Sequence, residues 1–242
     1  MGRKGPTRHL KRHQSPKFWP IHKKEKVWAT KTSPGPHNFT SSIPINVILR
    51  DFLKHASTNR EAKMIVKQGK IKVDGKIRFN ERYPIGLMDV IAIPDAHESF
   101  RILPDKGGRY KLHTIKGEEN NYKLCKIVGK FTLKNNITQL RLHDGKNIQV
   151  PANNPYKVND ILKIKIPELE VLDHIKFKDM IPTIVTGGRS QGETGTIIGF
   201  GDEPGWKKTA TIRTPRGNDI RTLIRYVFPL GETESLISLP EN

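Results

Sequence analysis

Three cations recur at i, i+3 and i+7: Arg60, Lys63 and Lys67. On a helix that spacing gathers them on one face. Lys70 and Lys72 then alternate with Ile71 and Val73, and Lys76 follows the dipeptide Asp74-Gly75. Ammonium and guanidinium groups held on rigid elements are suited to gripping anions, and a row of them suits a phosphate backbone. Bond-making chemistry finds no such support. There is no phosphate-binding P-loop and no Gly-x-Ser-x-Gly elbow. The run Gly199 to Gly205 has too many residues before its last glycine for a dinucleotide fingerprint, and Pro204-Gly205 would not open a helix. His143-Asp144 has the composition of an acid/base pair, but Gly145 follows directly and the three read as a turn. His9, His13, His22 and His37 lack a metal-ligand rhythm, and the single Cys125 can form neither an internal disulfide nor a zinc knuckle. Cys125 sits in the alternating run Tyr122 to Val128, where a small buried residue is expected. The chain is therefore expected to be no enzyme, with no metal, cofactor or small-molecule substrate.

The cations need elements to hold them. Asn59 is a good N-cap, and Ala62, Ile65 and Val66 then share the opposite, apolar face of a helix. Gly69 ends it, because glycine accepts the left-handed conformation cheaply. Asp74-Gly75 predicts a two-residue hairpin between Ile71/Val73 and Ile77/Phe79. An earlier helix begins near Pro44, with Ile45, Ile48, Leu49, Phe52 and Leu53 as its core stripe and Arg50 and Lys54 outside. A short strand, Asp89 to Ile93, closes the unit before Pro94. The result is a basic ledge made by one helix and one hairpin.

The whole chain fits a polyanion partner. Its 242 residues carry a formal charge of +19, which disfavours a compact state unless something neutralises it. No run of about 18 apolar residues offers a membrane span. The basic N-terminus has no apolar stretch after it, so it is no signal peptide, and the basic stretches lack the apolar face of a membrane-surface helix. Nucleic acid remains. Residues 1–42 hold ten Lys or Arg against Glu25 alone: Arg3, Lys4, Arg8, Lys11, Arg12, Lys17, Lys23, Lys24, Lys26 and Lys31. Five prolines favour extended chain there, and Trp19, Trp28, Phe18 and Phe39 are set among the cations. This segment is expected to be loosely held when free and ordered on RNA, with Trp19 and Trp28 as candidate base stackers. Residues 43–94 form the ledge unit at +5. Residues 95–178 read as all-β, six short alternating runs divided by Gly107-Gly108, Asn135-Asn136, Asp144-Gly145 and Asn159-Asp160. Residues 179–242 fall to −1, and the chain from Glu232 onward is expected to fray.

Two local resemblances and one global one follow from these residues. Helix, helix, then Ile71 to Arg78 and Gly86 to Ile91 resembles the small RNA-binding fold named after bacterial ribosomal protein S-four. The run Ile184 to Ile197, with Gly188, Gly192 and Gly195 between apolar strands, resembles the KOW motif of ribosomal and transcription-elongation proteins, which implies an SH3-like barrel. Arg189 in its loop is a candidate RNA contact, while Glu193 stands where the family often has a basic residue. Taken in order, the chain resembles the archaeal and eukaryotic S-four-e family of small-subunit ribosomal proteins. Arg8 to Arg12, Gly35-Pro36-His37, Tyr83-Pro84 with Gly86 to Ile91, Tyr122 to Lys126, His143-Asp144-Gly145, Thr186 to Arg189 and Val227-Phe228 with Gly231 carry that likeness. Thr222-Leu223-Ile224 departs from it, so the family's arginine contact there does not transfer. The short C-terminus resembles the archaeal branch.

The resemblance implies an α+β multidomain chain: a basic extension (1–42), a helix–helix–hairpin RNA-binding domain (43–94), a central β domain (95–178) and a barrel with tail (179–242). It implies a structural, non-catalytic part of the cytoplasmic small ribosomal subunit, bound to rRNA and to neighbouring ribosomal proteins and not forming homo-oligomers. The competing readings are an RNA-modifying enzyme that uses the same fold as an appendage, as in some pseudouridine synthases, and a transient RNA chaperone.

Overall fold

The computed structural model describes residues 9–22, 24–134, 136–203 and 207–240. Among the described residues the strands form three five-stranded antiparallel sheets and two two-stranded pairs. The first sheet runs Lys76–Ile77, Lys72–Val73, Val90–Ile93, Glu98–Asp105, Arg109–Thr114. Its strands come from both sides of position 94, so the boundary set there crosses a hydrogen-bonded sheet. The second sheet runs Asn147–Pro151, Ile137–Leu142, Tyr122–Thr132, Ile161–Lys165, Val171–Ile175. The third runs Asp219–Leu223, Lys207–Arg213, Thr194–Glu203, Pro182–Val185, Val227–Pro229. Among the described residues no helix is long and apolar enough to cross a membrane.

The helices behave as their apolar spacing requires, with changes at the ends. The helix Asn59–Lys67 buries Ala62 and Val66 and half-buries Ile65. Its N-cap is Thr58, not Asn59. The Thr58 hydroxyl accepts from Glu61 N–H (3.2 Å) and the Glu61 carboxylate accepts from Thr58 N–H (3.3 Å). That reciprocal box satisfies donors that Asn59 would have left open. Gly69 ends the helix at φ +76°. The earlier helix starts after Pro44, then widens: Leu53 N–H reaches back to the Ile48 carbonyl, an i→i+5 bond. Arg50 is buried on this turn.

Residues 9–22 and 24–42 are not a loose tail in this structure. Leu10–Lys11 pairs with Trp28–Ala29, and Leu10, Trp19 and Ile21 share a core with Ile45, Leu49, Val66 and Ile102. The C-terminal end is also packed. Ile237 is buried with Met88, Leu103, Leu124 and Phe228, so the fraying expected from Glu232 onward does not occur through Leu239. Lys126 joins the second sheet to the third by donating to the carbonyls of Ile224 (2.9 Å) and Val227 (2.6 Å), and burial pushes its ammonium down to about 8.

Candidate nucleic-acid interface

The helix and hairpin cations can be placed one by one. Arg60, Lys63 and Lys67 are exposed along one helix, and Lys63 has Glu81 at 3.6 Å. The hairpin turn carries φ +49° at Asp74 and +74° at Gly75, the geometry expected for this dipeptide. Lys70 and Lys76 are exposed, Lys72 is half-buried, and Lys70 pairs with Asp95 at 3.1 Å. Ile77 and Phe79 depart from the expected apolar return. Both are exposed, and they flank Gly69, where an added Cβ would meet Phe79 at 3.0 Å and Ile77 at 3.4 Å.

The two tail tryptophans part company. Trp19 is 2% exposed, its indole N–H donates to the Ser42 carbonyl (2.9 Å), and its ring meets Phe39 edge-on. It has no face for a base, which corrects its assignment as a stacker. Trp28 is 56% exposed, with the His9 ring 5.5 Å away. It lies in an open cleft between the tail ribbon and the ledge helix, lined also by Lys26, Lys31, Asn59, Lys63 and Arg82. Arg50 is the second correction. It lines the same cleft but is only 9% exposed, and its guanidinium is forked onto Asp51 at 3.0 and 2.7 Å.

The remaining candidates are dispersed. Lys54 is exposed at φ +58°, and Lys11, Lys17 and Lys24 are exposed. Arg12 is spent on the tail's own fold, donating to the Ile21 carbonyl (3.0 and 2.6 Å) and the Ser15 hydroxyl (2.8 Å). Arg189 is exposed on a loop that docks against the first sheet: Gln191 donates to the Arg109 carbonyl (2.9 Å) and Glu193 pairs with Lys106 (3.5 Å). Arg3, Lys4, Arg8 and Lys23 lie outside the described residues.

Beneath the ledge is a charge cluster that residue spacing did not reveal. The Lys123 ammonium, fully buried, binds Asp89, Asp74 (3.1 Å) and Asp144 (3.1 Å). Lys146 bridges Asp74 (2.8 Å) and Asp144 (3.2 Å), and His37 Nε2 lies 2.9 Å from Asp89. Burial opposes the charges of Asp89, Asp144, Lys123 and Lys146, and their partners outweigh it. Asp89 is held far below the usual carboxylate range by His37 and Lys123. Asp144 is held there by Lys123, His143 and Lys146, and Lys123 is raised by its three aspartates. The glycines explain how the segments come so close. A Cβ on Gly86 would meet the His37 ring at 2.4 Å, and one on Gly145 would meet the Pro36 carbonyl at 2.9 Å. His143-Asp144 is indeed a turn, but Asp144 also faces inward.

Cys125, His143 and Asp144 are close enough to suggest a metal site. The donors do not fit one. His143 Nδ1 accepts from Lys126 N–H and its Nε2 donates to the Leu87 carbonyl, both at 3.2 Å. Asp144 is committed to Lys123 and to Lys146 N–H, and burial pushes the Cys125 thiol well up, so it stays protonated. The same commitments leave His143 without a nitrogen to act as a general base.

Comparison with known proteins agrees with this layout. Residues 4–40 match the RS4NT domain, residues 44–91 the S4 domain and residues 96–171 the ribosomal family S4e. The chain is 46% identical over 234 residues to small ribosomal subunit protein eS4 of Methanothermobacter thermautotrophicus, covering 96% of each chain. The chain belongs to the ribosomal S4e family. The family's eS4 protein from Staphylothermus marinus is 41% identical over 251 residues, covering 100% of this chain and 99% of its own. The crystal structure of S4e from Thermoplasma acidophilum superposes with a TM-score of 0.68 at 30% identity, covering 80% of this chain and 96% of that one. Within the S4e chain, the buried cluster draws on all three matched segments. His37 comes from the first, Asp74 and Asp89 from the second, and Lys123, Asp144 and Lys146 from the third.

Proposed function

We propose that this chain is a structural, non-catalytic constituent of the cytoplasmic small ribosomal subunit that binds rRNA through its basic outer faces. The observation that carries this reading is charge segregation. Asp74, Asp89 and Asp144 are turned inward onto Lys123, while Arg60, Lys63, Lys67, Lys70 and Lys76 stay on the surface. Neutralising phosphates releases counterions, so these cations supply affinity and register, and sequence reading is modest. The helix and hairpin form the phosphate ledge, and Trp28 with Lys26, Lys31 and Lys63 forms a stacking cleft beside it. In this reading residues 1–42 are a basic extension whose described part folds onto the 43–94 RNA-binding unit. The 95–178 β domain and the 179–242 barrel, KOW-like in its glycine loop, support that unit and meet neighbouring subunit proteins. The enzyme and chaperone readings have no observation in their favour.

Charge reversal of Arg60, Lys63 and Lys67 to Glu tests the ledge. Affinity for a small-subunit rRNA transcript should fall, with the log–log salt slope shallower by about 0.7 to 0.9 per lost contact. Unchanged affinity across the titration removes the helix from the interface. Absence of the wild-type chain from small subunits on sedimentation overturns the function itself.

A further inference from the structure

A second cleft lies beside the Trp28 cleft, with Lys26 and Val27 lining both. Its other lining residues are Arg12, His13, Ser15, Lys17, Lys24 and Arg109. It is composite: Arg109 opens a strand of the first sheet, and the rest belong to the N-terminal segment. Five of the lining residues are permanent cations, and no carboxylate lines it among the described residues. Lys17, Lys24 and Arg109 have no ion pair among the described residues, and Lys26 has only the exposed Glu25, at 3.5 Å. The wall is stiffened by Arg12, whose guanidinium is fixed by the Ile21 carbonyl and the Ser15 hydroxyl. Lys24 sits at φ +65°, a left-handed conformation uncommon for a non-glycine residue.

Like charges gathered in a concavity repel unless a polyanion fills it. The chemistry of the lining says which part of a nucleic acid that is. Apart from His13, the side chains with a free hydrogen-bonding group are donors, and the Ser15 hydroxyl is already used by Arg12. No Phe, Tyr or Trp lines the cleft for stacking. Such a lining reads little of a base edge beyond the paired acceptors of guanine. It can hold phosphates. An RNA strand that stacks a base on Trp28 would bring its backbone here, across Lys26 and Val27.

We propose that this cleft is a seat for clustered rRNA phosphates, where a sharp bend or a helix junction brings backbone strands together. Four cations in one concavity, backed by the fixed charge of Arg12, suit a denser group of phosphates than an extended strand offers. The proposal rests on the rRNA-binding reading above and adds to it Arg109, which lies outside the expected interface.

The test is the variant Lys17→Ala/Lys24→Ala/Arg109→Ala in the full chain, with circular dichroism to check its fold. A small-subunit rRNA transcript is the probe, titrated with salt against wild type. Loss of three contacts should make the log–log slope shallower by about 2 to 2.7. Affinity for unstructured polyuridylate should change less. A variant that keeps the wild-type slope overturns the seat while leaving the ribosomal reading standing, whereas a wild-type chain with no rRNA affinity overturns that reading. A photo-crosslinker at position 17 in assembled small subunits should capture RNA. Capture of an acidic protein segment instead overturns the proposal.

Discussion

Trp19 and Trp28 show what one residue can and cannot announce. Both sit among prolines and cations, so composition marks them alike. Only the fold separates a ring 2% exposed from one 56% exposed. Their substitutions should therefore fail in opposite assays. Trp19→Ala opens a cavity between the N-terminal segment and the helices and orphans the Ser42 carbonyl, at a cost of about 3–5 kcal/mol in urea unfolding. Trp28→Ala should leave the unfolding midpoint within about 0.5 kcal/mol of wild type. It should weaken binding to small-subunit rRNA by about 1–3 kcal/mol in filter binding, the value of one lost stack. If Trp28→Ala binds normally, the stacking cleft is wrong. Lys123 posed the same difficulty in reverse. A lysine in an alternating strand reads as solvated, yet its partners lie 49, 34 and 21 positions away, beyond the reach of local pattern.

Elements were legible where one period governed them. Ala62, Ile65 and Val66 announced a helix, and Asp74-Gly75 announced a hairpin, because backbone geometry at those points is set by near neighbours. The C-terminal segment has no period, so it read as fray. It is held by single anchors. Leu236 N–H donates to the Leu230 carbonyl (3.0 Å), and the Tyr122 hydroxyl donates to Leu236. Ser238 gives both its N–H (2.9 Å) and its hydroxyl (3.0 Å) to Glu119, and its oxygen accepts from His113 (2.9 Å). Buried Arg101 fixes the other end of that contact, donating to the carbonyls of Glu119 (2.9 Å) and Tyr122 (3.2 Å). The segment thus straps the 117–121 turn to the core. Ile237→Ala should lose about 2–5 kcal/mol. Hydrogen exchange should rise at residues 117–122 as well as 233–239. A rise confined to the C-terminus would show that the strap holds nothing but itself.

At the scale of the whole molecule, the buried cluster makes cohesion of the three matched segments depend on pH. Its carboxylates and Lys123 are costly to desolvate and persist because each has its partners. His143 lies against this cluster, and burial pushes it down to about 4 from an ordinary value near 6.5. Between those values the unfolded chain binds a proton that the folded chain refuses, so stability falls as pH drops through that window, by up to roughly 3 kcal/mol for this residue. His113, lowered mainly by burial, acts in the same direction. Asp89 and Asp144 act lower. Their folded values are depressed, so their contribution is present above the ordinary carboxylate range and is lost as pH falls below about 4. Acidification also raises a net charge already at +19, and self-repulsion adds to the loss. Urea midpoints measured from pH 8 to pH 3 should therefore decline from just below pH 7 and steepen below about pH 4. His143→Gln should flatten the upper part of the curve and leave the lower part steep. A wild-type midpoint that stays level from pH 6.5 to pH 4 would refute a neutral, buried His143, and a level course below that would refute the ionised aspartates at the junction.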